Sequence, residues 1–502
     1  MRRVALALLL AAVVAAGLHW GTFAAGGSDS YCYVHQAERW ASLELHAIEP
    51  LALEAPWPEP GLAFAPSGHV PSQTHPGAIV PICPAGLSIA MAPFLALGGP
   101  RAVFLVVPLF GALLIASTFA AGARFGPRVG LASALLAACS PAFLYQLVQP
   151  MSDVPAAALW LLAVASVTGT RPRSALVAGL ATAAAVLMRP NLVPLAIPIG
   201  LFILLRPERS WRERVTGAAT YAASAALGAV AVALIQDAFY GSPLRSGYGS
   251  LSALFSLEHV GPNTARYLAW LTDTQTVAWT LAAAAPLLLP GPLTALCVAL
   301  FLANAAIYLP YVVFDDWSFL RFLLPTIPLL LILMVASVDA VVRRIRPAAA
   351  PVAVTAVAAI LAVLFVREAR DHHVFRLEQF ESRFERAGEF VRARLPANAI
   401  VITSWESGSV RFYGKRRTLV WDGLDPAWLD RSIEFARARG LEPYFLFERW
   451  EEPLFRRRFP TSPLGALDWP PMAEIATQVR IYRPSDRERF AEGTLPPTEY
   501  VR

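Results

Sequence analysis

Charge is scarce over most of this chain. The first 366 residues carry only 34 of its 78 Lys, Arg, Asp and Glu residues; the other 44 fall between Arg367 and Arg502. With 56% hydrophobic residues and a mean hydropathy of +0.50, the charge-poor part excludes an ordinary soluble fold. Lys415 is the only lysine, and the net charge of +6 comes mostly from short arginine clusters between apolar runs. That pattern is a topology signal rather than a nucleic-acid footprint. Only four cysteines occur, with no metal-type spacing. Cys139 and Cys297 sit inside apolar runs as packing residues, while Cys32 and Cys83 share one loop and could pair in an oxidising compartment. The chain also lacks a nucleotide-binding glycine fingerprint and a nucleophile elbow.

Long apolar runs are abundant. They lie at 4–25, 79–97, 102–121, 129–148, 154–170, 215–236, 292–312, 319–340 and 348–366, with shorter ones at 174–188, 191–205 and 277–290. The first follows Arg2-Arg3 and is longer than a usual signal-peptide core, so it reads as an uncleaved first transmembrane helix. If all twelve runs crossed the membrane, the clusters Arg124/Arg128, Arg171/Arg173, Arg206/Arg209/Arg212/Arg214 and Arg343/Arg344/Arg346 would lie opposite Arg2 and Arg3. Withdrawing one run repairs this. Run 79–97 contains Pro81, Pro84 and Pro93, which suits a broken or re-entrant element. Eleven crossings then remain, with the N-terminus cytoplasmic and the C-terminal part extracytoplasmic. The expected fold class is a polytopic α-helical membrane protein with a C-terminal soluble α/β domain. Residues 1–366 form the membrane domain, with a first outer loop at 26–101, and 367–502 form the outer domain.

This topology gathers the remaining polar residues on the outer face. Tyr33, Ala37 and Trp40 fall at helical spacing in the first loop, which predicts an interfacial helix capped by Ser28 or Asp29. Asp29 is either that cap or a general base at the wall of a membrane cavity. Asp153, followed by Pro155, starts a helix; it is a cap or a second acidic residue that positions an acceptor or a metal. Arg189-Pro190-Asn191 interrupts two short spans. It is a polar loop or, through the guanidinium fork, a phosphate ligand. Arg321 begins a crossing from the same face and either joins Arg189 on a lipid phosphate or snorkels to headgroups. Tyr248, in a Gly- and Tyr-rich loop, is a turn residue or a substrate contact, and His75 could bind a metal or an anion.

In the tail, 367–394 reads as an amphipathic helix. Strands are expected at Ala399–Thr403, Arg417–Trp421 and Pro443–Phe447, and helices at Ser407–Tyr413, Leu429–Arg439 and Glu451–Phe459. Such alternation predicts a small α/β layer domain.

Asp29, His75-Pro76 and Asp153, in this order and on one side of the membrane, resemble the GT-C superfamily of integral-membrane glycosyltransferases. The protein O-mannosyltransferase and aminoarabinose-transferase type, glycosyltransferase family 39, is the nearest. The resemblance covers about residues 1–340. Ser28-Asp29-Ser30-Tyr31 departs from that family's Asp-Glu pair, and His75-Pro76-Gly77 lacks its second proline. The resemblance implies transfer of a sugar from a polyprenyl-phosphate donor to a lipid, glycan or protein acceptor, with inversion. Asp29 would be the base, and Arg189, with Arg321, would hold the leaving phosphate. Membrane lipids are expected partners and nucleic acid is not. A divalent metal is compatible with the sequence but not required by it. A multi-pass transporter or a membrane scaffold or sensor is the alternative; the transporter would show paired internal repeats, and none is seen.

Overall fold

A computed structural model describes residues 2–169 and 173–501. It divides into two compact units. The first comprises residues 1–21, 84–235 and 249–377, and the second 22–83, 236–248 and 378–502. This differs from the division expected at residue 366, because most of the first loop belongs with the C-terminal tail.

The first unit is helical. Among the described residues, four helices are long and apolar enough to cross a membrane: Arg2–His19, Pro100–Gly122, Trp211–Tyr240 and Pro347–Asp371. Two bent pairs raise this to six, Pro127–Cys139 with Pro141–Leu147 (60°) and Trp317–Leu323 with Ile327–Ile345 (81°). Both bends occur at proline, whose ring cannot continue the helical hydrogen-bond ladder. Six further apolar helices are shorter: Ala85–Gly98, Asp153–Val167, Ser174–Met188, Pro190–Leu204, Val277–Leu288 and Pro292–Tyr308. Run 79–97 is not one straight element. It contains the end of a strand, Ala78–Pro81, and then a helix beginning at Ala85, with Pro84 between them and Pro93 inside the helix.

Around helices 153–167 and 190–204 the charged groups lie at two ends. Arg206 donates to the carbonyls of Val167 (2.9 Å) and Gly169 (3.4 Å), so the ends of helices 153–167 and 190–204 meet there. The Arg124 guanidinium lies beside Gly169. At the opposite ends of the same helices are Asp153 and Arg189, joined at 2.5 Å.

The second unit is built on two sheets. The smaller has β1 (Ala47–Ile48), β2 (His69–Pro71) and β3 (Ala78–Pro81), antiparallel in the order β1-β3-β2. The larger contains β4 (Ala399–Thr403), β5 (Arg417–Val420), β6 (Glu442–Glu448), β7 (Ala473–Ile475), β8 (Val479–Tyr482) and β9 (Glu499–Val501), in the order β5-β4-β6-β8-β7-β9. β4 pairs parallel with β5 and β6, and β8 is antiparallel to β6. The expected strands and helices of the tail are present, and β7–β9 extend the sheet beyond them. Alternation along β6 fills both faces: Phe445 and Phe447 point into one core, Tyr444 and Leu446 into the other.

The first of these cores is shared with the first loop. Leu51, Trp57 and Phe64 pack among Ile402, Leu419, Phe445 and Phe455. The half-buried Arg411 ties the same segments by donating to the Phe64 carbonyl (2.8 Å) and pairing with buried Glu49 (3.2 Å). The helix expected over 367–394 is interrupted: one helix ends at Asp371, His373 adopts a left-handed φ of 57°, and a new helix runs Leu377–Arg394.

Cys32 and Cys83 form a disulfide, 51 residues apart, with Cα atoms 6.2 Å apart. Cys139 and Cys297 are free and lie within helices, as packing residues would. Intact-mass analysis after thiol alkylation is expected to show two blocked cysteines without reductant and four with it. Closing a loop of this length stabilises by about 2–5 kcal/mol, so a Cys32→Ala/Cys83→Ala double variant should melt at a clearly lower temperature.

Candidate active site

In the first unit, Asp153 opens the helix Asp153–Val167, where the unpaired backbone N–H groups of the first turn favour a negative charge. Arg189 follows the last residue of helix Ser174–Met188 and is extended (φ −147°, ψ 90°), as a residue before proline tends to be. That conformation directs its guanidinium onto Asp153, with Nη1 2.5 Å from Oδ1. The Asp153 side chain is 1% exposed and that of Arg189 14%, so the pair is almost removed from water. Oδ2 of Asp153 is buried without a hydrogen-bond partner among the described residues.

An aromatic platform adjoins this pair. Arg189 lies over the Phe322 ring at 5.4 Å, and Arg321 reaches the same ring at 5.4 Å and Phe319 at 5.1 Å. Phe322 is stacked on the buried Tyr308 (4.6 Å, 4°), whose hydroxyl accepts from Asn191 Nδ2 at 2.7 Å. Asn263 donates to the Tyr311 and Leu309 carbonyls and holds the chain just after Tyr308. Asp153, Arg189, Asn191 and Arg321 are therefore brought together around Phe322. Tyr308, Phe322 and Asn263 are absent from the expected site. The Phe-rich run 314–322 was a signal for the platform, but Tyr308 and Asn263 lie on other helices and carried none. Two guanidinium groups over one ring, with a carboxylate fixing the first, make a preorganised anion-binding arrangement.

The second unit holds Asp29, His75 and Tyr248. Asp29 is half-buried at the first turn of helix Asp29–Ser42. The Gly26-Gly27 pair before it sets its position. A Cβ on Gly26 would overlap the Phe384 ring at 2.1 Å, and Gly27 has φ +56° with Trp405 against it. The amide of Ala25 donates to the Tyr413 hydroxyl (2.8 Å). Further along the helix, fully buried Tyr31 stacks on His35, and His35 Nδ1 meets His69 Nε2 at 2.9 Å. Burial pushes His69 down to about 3 and also lowers His35, so both rings stay neutral at ordinary pH. His75 is exposed; its ring lies tilted against His46 (3.9 Å, 37°) and meets the Thr74 hydroxyl. Tyr248 is 42% exposed at the end of its loop. Among the described residues no group of three or more His, Cys, Asp or Glu side chains could hold a metal ion.

Beside Trp405 lies a group of buried carboxylates. Arg383 donates to Glu448 (2.8 Å) and pairs with Glu381 (3.4 Å). Glu451 accepts from the amides of Trp405 (3.1 Å) and Glu448 (2.9 Å). Burial pushes Glu451 up to about 7 and holds Glu406 well above the usual carboxylate range.

The pattern of the dolichyl-phosphate-mannose–protein mannosyltransferase family matches residues 85–235, a segment that contains Asp153 and Arg189. No characterised protein matches by sequence. Among solved structures, ArnT from Cupriavidus metallidurans in the apo state superposes with a TM-score of 0.60 at 12% identity, covering 95% of this chain and 97% of that one. The same protein bound to undecaprenyl phosphate gives 0.59 at 11%, covering 91% and 94%. The oligosaccharyltransferase of Archaeoglobus fulgidus, tethered to an acceptor peptide, gives 0.51 at 11% (92% and 71%). Fold and matched pattern together define the class: this is the fold of the GT-C membrane glycosyltransferases. The resemblance drawn from the sequence is thereby borne out at the level of the fold.

Three variants test these two clusters. Asp153→Asn leaves the Arg189 charge buried without its counter-ion, and breaking such a pair costs about 3–5 kcal/mol. A double-mutant cycle with Arg189→Gln, read by thermal unfolding in detergent, should show strong coupling. For Glu451, a folded-state value above the unfolded one means stability is complete below about pH 4.5 and is lost as pH rises through about 7. Glu451→Gln should therefore flatten the decline in melting temperature between pH 5 and pH 8.

Proposed function

We propose that the protein is a membrane glycosyltransferase that moves a sugar from a polyprenyl-phosphate donor to an acceptor on the extracytoplasmic face, with inversion. The observation that carries this proposal is the Asp153–Arg189 pair with Arg321 over Phe322, within a GT-C fold. The ArnT structure that holds undecaprenyl phosphate supports a donor of that kind.

In this reaction the acceptor oxygen or nitrogen attacks the anomeric carbon. The new glycosidic bond forms as the bond from that carbon to the phosphate oxygen breaks. Asp29 takes the acceptor proton, and polyprenyl phosphate leaves with the bonding electrons. Arg189 and Arg321 stabilise the charge that develops on the phosphate. Asp153 acts as a positioning residue that fixes the Arg189 guanidinium. Asn191, Tyr248 and His75 are assigned to substrate contacts.

The proposed topology has eleven crossings, with the N-terminus cytoplasmic and 367–502 extracytoplasmic, in a plasma or inner membrane. It takes the four long helices, the two bent pairs and five of the six shorter helices as crossings, and leaves out Ala85–Gly98. Pro190–Leu204 begins with a 3₁₀ turn over Pro190–Leu195, whose greater rise gives it roughly 25 Å, near the thickness of the hydrocarbon core. The sorting of Arg124 and Arg206 away from Asp153 and Arg189 supports this orientation.

The test is a glycan-transfer assay with a panel of polyprenyl-phosphate sugars. Asp29→Asn should lower turnover about 10²–10⁴-fold, the usual worth of a general base. Full activity in a folded variant would sink the assignment. A tag after the last residue should be accessible only from outside intact cells; a cytoplasmic tag would overturn the one-face topology.

A further inference from the structure

The arginines at the other end of the first unit do more than mark topology. A cavity of about 470 Å³ opens there, lined by Arg173, Arg206, Arg209 and Arg212 together with apolar Leu176 and Ile203. These side chains come from separate elements: the start of helix Ser174–Met188, the segment after helix Ala196–Leu204, and the first turn of helix Trp211–Tyr240. Arg206 is fixed by the Val167 and Gly169 carbonyls and pairs with Glu208 (3.6 Å), and Arg173, Arg209 and Arg212 line the same space. The one carboxylate in the lining, Glu213, is engaged by the Ser210 amide (2.9 Å) and hydroxyl (2.8 Å). Trp211, at the start of the long apolar helix, is 67% exposed, as a residue at a lipid–water interface would be.

We infer that this cavity binds the phosphodiester headgroup of an anionic membrane lipid, at a site separate from the Asp153–Arg189 cluster. The guanidinium groups supply paired donors to phosphate oxygens. Leu176 and Ile203 give the upper acyl chain an apolar wall. That half-apolar lining, at the end of membrane-length helices, favours a lipid over a free anion. The inference does not depend on the proposed transfer reaction.

The test is native mass spectrometry of the full chain released from mixed micelles holding equal amounts of dioleoyl phosphatidylglycerol and dioleoyl phosphatidylcholine. Wild type should retain phosphatidylglycerol in clear preference. Arg209→Gln/Arg212→Gln should reduce that retention roughly tenfold or more, the size expected for two arginine–headgroup contacts. The matching lysine double variant should fall between the two. Should the glutamine double variant fail to fold, Arg173→Gln alone carries the same expectation at about threefold. Equal retention of the two lipids by wild type, or undiminished phosphatidylglycerol in folded glutamine variants, overturns the inference. Addition of inorganic phosphate distinguishes the sources: if phosphate alone displaces the lipid and raises the melting temperature as much, the site is a free-anion site and the lipid assignment fails.

Discussion

An arginine inside an apolar helical bundle is tolerable only where something answers its charge. Removing a guanidinium from water costs several kcal/mol, and the Asp153 carboxylate at 2.5 Å offsets that for Arg189. The pair fixes more than itself. It joins the first residue of one short helix to the residue just past the end of the next, so these two ends lie at the same level. It aims the guanidinium across the Phe322 ring, which Arg321 approaches as well. An anion entering this cluster would meet donors already oriented, with little reorganisation left to pay for.

The same constraint on buried charge organises the rest of the first unit. Around helices Asp153–Val167 and Ser174–Met188 the charged groups gather at two ends. One end gathers Asp153, Arg189, Asn191 and Tyr308; the other gathers Arg124, Arg206 and the cavity arginines. Between them the helices Asp153–Val167 and Ser174–Met188 carry no further charged residue. The Asp153–Arg189 cluster and the arginine-lined cavity therefore share no residues.

The second unit meets a different requirement. Asp29 lies at the start of the helix Asp29–Ser42 in the first loop. The loop is built into the core of the C-terminal sheet through Leu51, Trp57 and Phe64, and stapled by Cys32–Cys83. Gly26 lets Phe384 approach the backbone just before Asp29 closer than any side chain there would allow, and Gly27 adopts φ +56° beside Trp405. The tail thus fixes the segment that presents the carboxylate.

The sequence by itself determined the class of the molecule. Apolar runs, arginine clusters and the break at Pro81, Pro84 and Pro93 are local or additive properties, and so is the strand–helix alternation from Ala399 to Phe459. Asp153, Arg189 and Arg321 were legible for the same reason: an ionisable residue in an apolar setting stands out in one dimension. Only the tertiary structure decided that Asp153 answers Arg189, that Phe322 lies beneath both arginines, and that Tyr308 and Asn263 support them. Those contacts join residues as much as 133 positions apart, between helices whose sequences carry no sign of their neighbours. Strands β7–β9 escaped notice because each has only three or four residues and is stabilised by pairing rather than by local propensity. The membership of the first loop in the C-terminal core, and the bond between Cys32 and Cys83, were likewise settled by packing, which acts through space rather than along the chain.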